Sequence, residues 1–398
     1  MTGRRQFLMW SAAAGVLAAC DAKTAPPQAK VDGVLALALH KEGLGVLDTA
    51  TGAWKVPPAP AAVGPELTRL AAVQGEQLAI WSLPVMRQAA GRTLPGTWTP
   101  RAVSGSDQVA LVEGPSGEGI YRPASRVMTK IRIAGSGKDF SLPGNFEPEA
   151  FSPDGGRLYL LDYIPPRQPE LYRVRVLDLA TGAVHPLSTK DKQPVPPGAE
   201  ETMRGSGRKA VYDPVNGVLF TLYTHQQGHQ HTGELLGVRP GSPDVHAFIH
   251  ALHLDFGWAV CIDLPKPFGE SAPEGHTLAL APDSSLLYAV SAAHGTVARI
   301  NPESLNVLSV KTFAPLTGEA SAAATAGGRI YVAAGNTLSD TASAFDAGGP
   351  LHGLAATRGG QLWSARAGRA VSLDFPAKRV LDGAEVAGLQ AIHAIVGQ

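Results

Sequence analysis

The chain has 398 residues, 44% of them apolar and only 17% charged, with basic and acidic side chains in equal number. That length holds one large domain or two ordinary ones, and the charge balance excludes a general attraction to nucleic acid or to an anionic lipid surface. The 45 Gly and 32 Pro imply many turns joining short apolar segments, which suits an all-β domain better than a helical one.

The first residues carry processing information rather than fold. Arg4-Arg5-Gln6-Phe7-Leu8 leads into a short apolar run, Met9 to Ala19, that ends Leu17-Ala18-Ala19-Cys20. A run this short does not span a bilayer as a permanent helix. Arg-Arg-x-Phe-Leu resembles the twin-arginine export signal, with Gly3 standing where the usual pattern has Ser or Thr. Leu-Ala-Ala-Cys resembles the bacterial lipobox, in which cleavage before the Cys leaves a diacylglyceryl thioether on it. The resemblance implies a signal peptide over 1–19, a lipidated Cys20, and a bacterial cell-envelope protein held on the extracytoplasmic side of a membrane. Acyl burial contributes roughly 0.8 kcal/mol per CH₂ to such an anchor. Asp21 resembles the inner-membrane retention signal of Gram-negative lipoproteins. Without Arg4 and Arg5 the mature chain has 32 basic and 34 acidic residues, a net charge of about −2. Once Cys20 is consumed, Cys261 is alone, and no intramolecular disulfide is available to stabilise the fold.

Residues 21–30, DAKTAPPQAK, form a polar, Pro-containing tether. From Val31 onward a pattern of Gly-x-apolar-apolar recurs. It is seen at Gly33-Val34-Leu35-Ala36, Glu76-Gln77-Leu78-Ala79, Asp107-Gln108-Val109-Ala110 and Gly156-Arg157-Leu158-Tyr159. It returns at Gly217-Val218-Leu219-Phe220, Ser285-Leu286-Leu287-Tyr288, Gly328-Arg329-Ile330-Tyr331 and Gly360-Gln361-Leu362-Trp363. The spacings run from 31 to 68 residues and average in the mid-forties, the period of a four-stranded propeller blade. Several repeats add a strand ending in Asp or Asn before a Gly- or Pro-containing turn, as in Val176-Leu177-Asp178-Leu179-Ala180-Thr181-Gly182. There the side chain bonds nearby backbone N–H groups. Ser152-Pro153-Asp154-Gly155-Gly156-Arg157-Leu158-Tyr159-Leu160 is the most complete copy, and Ala281–Tyr288 a partial one. Here the chain resembles the YVTN-type and WD40-like β-propellers of bacterial secreted proteins. The resemblance covers 31–398 and implies propeller topology; it does not imply an activity, because propellers host enzymes and scaffolds alike.

The expected fold is therefore a single all-β propeller of four-stranded antiparallel blades. Eight repeat cores are countable, with seven blades the alternative if two cores share one. Blade two, Leu67–Leu94, lacks a clear third strand, and the seventh repeat leaves almost no room for an outer strand. The chain enters on a strand with no innermost strand before it and ends on Leu389–Val396 with none after it. The terminal strand is thus expected to pair as the innermost strand of the first blade, removing exposed edges.

In a propeller, the loops between second and third strands and those entering each blade open on one face. The longest loops fall there: 162–172, 188–205, 224–244 and 265–275. Long loops in a compact domain mark function or disorder, so this face is the candidate binding surface, with Arg167, Lys190, Lys192, Arg204, Glu200 and Glu201 as its charged residues. Lys190, Lys192, Arg204 and Arg208 form a basic loop that Glu200 and Glu201 are expected to compensate. Six of the 12 His lie between 225 and 253. His225, His229 and His231 sit on one loop and can converge on a transition metal, zinc or copper, if their ligand atoms come within about 2.0–2.3 Å of one point. The bland reading is a solvated polar loop with strand histidines hydrogen-bonded between blades. Residues 246–264 read as two strands around a turn, which puts His246 and His250 on one side roughly 13 Å apart at about 3.3 Å per residue, too far to share an ion. Trp258 and Cys261 are expected to pack between blades, and Glu147 and Glu149 to stand at a solvated strand entry, with paired carboxylates or a cation site as the alternative. No Gly-x-Ser-x-Gly, His-Glu-x-x-His, P-loop or dinucleotide motif is present.

The sequence thus points to a membrane-anchored, monomeric extracytoplasmic scaffold for a protein, peptide or glycan partner, rather than an enzyme. The alternative is a metal-binding protein or metal-dependent enzyme using the 225–231 loop.

Overall fold

Short apolar strands with small, Asp- or Asn-led turns leave little choice but antiparallel meanders, and the computed structural model shows eight of them among the described residues. Those are residues 32–114, 124–196, 198–204, 209–238, 240–241 and 246–397. The leader, Cys20 and the tether lie outside the described residues, as do Gly205 and Arg208. Seven of the sheets have four strands. The fourth carries a fifth strand, because Met203–Arg204 returns to pair with Leu171–Tyr172. Among the described residues no helix is long and apolar enough to cross a membrane.

The turns form for the reason the sequence suggests. Asp178 Oδ1 accepts the N–H groups of Ala180 at 2.9 Å and Thr181 at 2.7 Å, and Gly182 closes the turn at φ 77°. The left-handed conformation favours Gly at that position. Asn301 repeats the device with Glu303 at 3.0 Å and Ser304 at 2.7 Å.

Alternation along the strands divides each blade into two buried faces. In blade 5 the second strand, Val218–Thr224, is buried at every residue. Phe220 and Leu222 face blade 6 and pack with Leu278, Leu287 and Ala289, while Leu219 and Tyr223 face blade 4 and pack with Tyr159, Leu161 and Val174. The core is therefore a ring of inter-blade layers rather than one central mass. The axis is a channel of about 1000 Å³ lined by innermost strands.

Ring closure is as expected. Leu389–Val396 is the innermost strand of blade 1 and pairs antiparallel with Leu35–His40, from Leu35 opposite Val396 to His40 opposite Leu389. Ile392 and Leu389 then pack with Trp363 and Ala365 of blade 8, so the last strand seals both the sheet and the neighbouring layer.

Three expectations need correcting. The repeat core at Glu76–Ala79 belongs to the third strand of blade 2, Gln77–Ser82; the second is Arg69–Gln74. Both strands open on a polar residue followed by Leu-Ala, so the pattern marks either one. The seventh blade does have an outer strand, Ala344–Asp346, which fits because it and its partner Thr337–Ser339 are three residues each. Glu147 is not solvated: its side chain is 3% exposed and pairs with Arg101 at 2.9 Å and Arg126 at 2.5 Å.

Candidate metal centre

The second strand of blade 5 ends at Thr224, and His225 turns the chain at φ 59°. Gln226, 2% exposed, fixes the loop beyond it. Its side-chain carbonyl accepts Arg204 N–H at 2.9 Å, and its amide donates to Arg204 O at 3.0 Å and Thr224 O at 2.9 Å. This amide rivets the histidine loop to the chain entering the blade, which brings Glu201 and Thr202 alongside His229. His231 then leads into a single helical turn, Thr232–Leu235, with Glu234 Oε2 accepting His231 N–H at 3.0 Å.

The outer strand of blade 5 supplies the rest. Cys261 lies opposite His250, and Asp263 opposite Phe248, on adjacent strands. Period-two alternation sends Cys261 and Asp263 toward blade 4 and Ile262 toward blade 6. His229 stacks on Phe248 with ring centres 4.3 Å apart, and His231 meets the same ring edge-on at 5.5 Å.

Four donor groups converge there. One ligand atom from each of Glu201, His229, His231 and Cys261 lies within 4.8 Å of every other. His229 Nε2 stands 3.2 Å from His231 Nδ1 and 3.9 Å from Glu201 Oε2, and Cys261 Sγ is 3.1 Å from that same oxygen. Tetrahedral donors at about 2.0–2.3 Å from an ion stand roughly 3.3–3.8 Å apart, so small side-chain adjustments suffice.

The outward nitrogens are already committed. His229 Nδ1 donates to Thr202 O at 3.1 Å, and His231 Nε2 to Asp263 Oδ1 at 2.6 Å. Those bonds turn the other two nitrogens, His229 Nε2 and His231 Nδ1, toward each other. With both rings neutral the facing lone pairs are open to a shared cation; a proton on His231 Nδ1 satisfies them instead by donating to His229 Nε2 at 3.2 Å. The oxygen-bonded imidazole is the arrangement that orients metal-binding histidines.

The electrostatics favour ligation by His229 and Glu201, while a proton competes for His231. Burial pushes the His229 imidazole below its ordinary value, which keeps it neutral and able to ligate. His231 is also penalised by burial, but its bond to Asp263 and the nearby Glu201 raise it overall. Burial would raise Glu201 as well; His250, the Thr232 N–H and the Cys261 thiol outweigh it and hold the carboxyl below the usual range. The Thr232 N–H donates to Glu201 Oε1 at 2.7 Å, leaving Oε2 toward the group.

The residues singled out from sequence distribute differently. His229 and His231 are brought together. His225 is not with them: it bonds Thr224 Oγ1 at 2.9 Å through Nδ1, and its ring lies 6.3 Å from that of His276. Glu200 and Glu201 do not compensate the lysines. Glu200 is held by Arg175 Nε and Nη2, at 2.9 and 2.6 Å, and by Arg173 at 2.8 Å. Lys190 lies over the Trp258 ring and Lys192 over the Phe256 ring. Arg167 is exposed, and its carbonyl accepts Ser125 Oγ at 2.8 Å; the Arg204 side chain is exposed too. Cys261 does pack between blades, as expected, but faces Glu201. Its parity with Asp263, opposite the buried Ile262 and Leu264, is the signal in the sequence that would have found it.

No family model and no curated protein sequence matches this chain. Among solved structures it is similar to apo AztD from Citrobacter koseri, at 11% identity and a TM-score of 0.52, over 92% of this chain and 99% of that one. It is also similar to dihydro-heme d1 dehydrogenase NirN in complex with DHE (11% identity, TM-score 0.47, 91% and 76% covered) and to Kuenenia stuttgartiensis hydrazine synthase (13%, 0.40, 74% and 86%). The likeness is one of fold. Fold and site together define a β-propeller with a four-donor cluster between two of its blades.

Proposed function

We propose that this chain is an envelope protein of the YVTN-type and WD40-like lipoprotein kind, anchored through Cys20, that binds one zinc ion between blades 4 and 5. The observation that carries the metal reading is the pair of imidazoles whose outer nitrogens are tied to oxygen while their inner ones face each other beside a thiol and a carboxylate. Zinc is the ion whose ligand preferences span nitrogen, sulfur and carboxylate oxygen in one tetrahedral set. Binding requires Cys261 to lose its proton, and the two negative ligands then balance the dication.

The experiment is metal analysis of purified protein, followed by zinc titration of metal-free protein. About one zinc per chain is expected, lost in His229→Ala, His231→Ala and Cys261→Ser. Metal-free protein whose thermal midpoint does not move on adding excess zinc would sink the reading, since a ligand at about 100 times its Kd adds about 2.7 kcal/mol. The anchor is tested separately: Cys20→Ala should move the protein from membrane to soluble fraction.

A scaffold role on the same face is favoured by the exposed Arg167, Lys190, Lys192 and Arg204. A pull-down from envelope extract in which reversing these four charges changes no partner counts against it.

A further inference from the structure

We propose that the cavity beside the metal centre is a binding site for a small, mainly apolar molecule whose neutral oxygen donor, a carbonyl or hydroxyl, adds a fifth ligand to the zinc. The inference rests on the zinc reading and deepens it. The cavity is about 410 Å³ and shares Glu201, His231 and Cys261 with the centre, with His250 beside them. That volume lies within the range of small-molecule sites.

Its walls are mainly apolar, with Lys190, Asp191, Gln193 and Glu200 also in the lining. Val174, Val195, Met203, Leu236, Val238 and Ala259 converge on it from blade 4, the loop entering blade 5, the helical turn and the outer strand. Val238, on its rim, is 80% exposed, and a ligand body there would cover it. The donors gather at the inner end, which dictates the ligand: an apolar body with one donor at its tip.

Charge selects the donor. Glu201 carboxylate and Cys261 thiolate neutralise the dication, and Asp263 already bonds His231 from behind. An anionic donor would leave the buried centre itself net negative, which is costly, while Lys190 in the lining is exposed and lies over the Trp258 ring. A neutral oxygen adds none, and zinc can take a fifth ligand.

The test uses primary n-alkyl amides of increasing chain length, titrated calorimetrically into zinc-loaded and metal-free protein, with the carboxylates of matched length as the charged counterpart. On the zinc-loaded protein, affinity for the amides should rise about fourfold per methylene until the cavity is full, which is the burial of one CH₂. The metal-free protein should bind them more weakly, and the zinc-loaded protein should bind each carboxylate more weakly than its amide. Leu236→Trp, which fills the cavity from the rim, should abolish the chain-length dependence while zinc content stays at one per chain. Affinity independent of chain length, equal affinity without metal, or tighter binding of the carboxylates would each overturn the proposal. Absence of zinc from the protein at the outset would instead overturn the reading beneath it.

Discussion

Blade 5 is packed on both sides, and its two faces are unlike. Toward blade 6, Phe220, Leu222, Ile249, Ala251, Ile262 and Leu264 make a layer of aliphatic and aromatic side chains. Toward blade 4, Tyr223, Phe248 and Leu252 begin the same way, but the layer turns polar outward, through His250, Cys261 and Asp263. Each face has its histidine. His276, on the first strand of blade 6, has both nitrogens spent: Nε2 accepts Gly269 N–H at 3.0 Å and Nδ1 lies 3.2 Å from Ala272 O. His229 and His231 each spend one on oxygen and present the other to a neighbour. A buried histidine is structural when its bonding is complete and available to a ligand when half its bonding is left over. Burial alone does not separate the two.

The two faces can be perturbed separately, but the largest effect removes both together. Deleting residues 389–397 takes away the innermost strand of blade 1 and opens the ring; cooperative unfolding by calorimetry should be lost, not shifted. Next, Phe220→Ala on the sealed face should cost about 3–5 kcal/mol in denaturant unfolding, as large-to-small core changes do, and leave zinc affinity unchanged. Equal damage to zinc binding would mean that the faces are not independent.

His276 offers a test by pH. Burial pushes its imidazole down to about 4. Above about pH 6.5 it is neutral folded and unfolded, and contributes no pH dependence. Between there and about pH 4 the unfolded chain takes up a proton that the folded one refuses, so stability falls with falling pH, by on the order of 3 kcal/mol across the window. Unfolding free energies measured across that window should show a loss in the wild type that is reduced in His276→Gln; parallel curves would refute the assignment. The smallest effect is the most local. Asp263→Asn keeps the shape but weakens the hold on His231, and zinc affinity should fall about 10–100-fold, the usual cost of removing such an orienting group. Folding stability of the metal-free protein should change little.

The fold is legible in the sequence because propeller blades are local objects. Asp178, Asn301 and Asp154 bond N–H groups two or three residues on, so each turn announces itself within a few positions. Blade 2 misleads because its second and third strands carry the same apolar pattern, and only pairing partners tell them apart. The metal centre is half legible for the converse reason. His229 and His231 are neighbours on one loop and visible as such. Glu201 and Cys261 meet from 60 residues apart in the chain, and the rivet that brings the entering loop to the histidines is an ordinary Gln. Nothing local distinguishes Gln226 from Gln227. Strand parity places Cys261 and Asp263 on one side, but which neighbour that side faces is decided by the ring.

Closure by the last strand also sets an address system. Both described ends of the ring, Leu35 and Val396, belong to blade 1 and pair with each other. In a circle of eight, blade 5 is four steps away in either direction, the farthest any blade can be. A fluorophore, affinity tag or surface linker placed at the C-terminus therefore sits across the ring from the cluster and leaves its surroundings clear. The protein can be tethered by that end and still be interrogated with metals and ligands at the other.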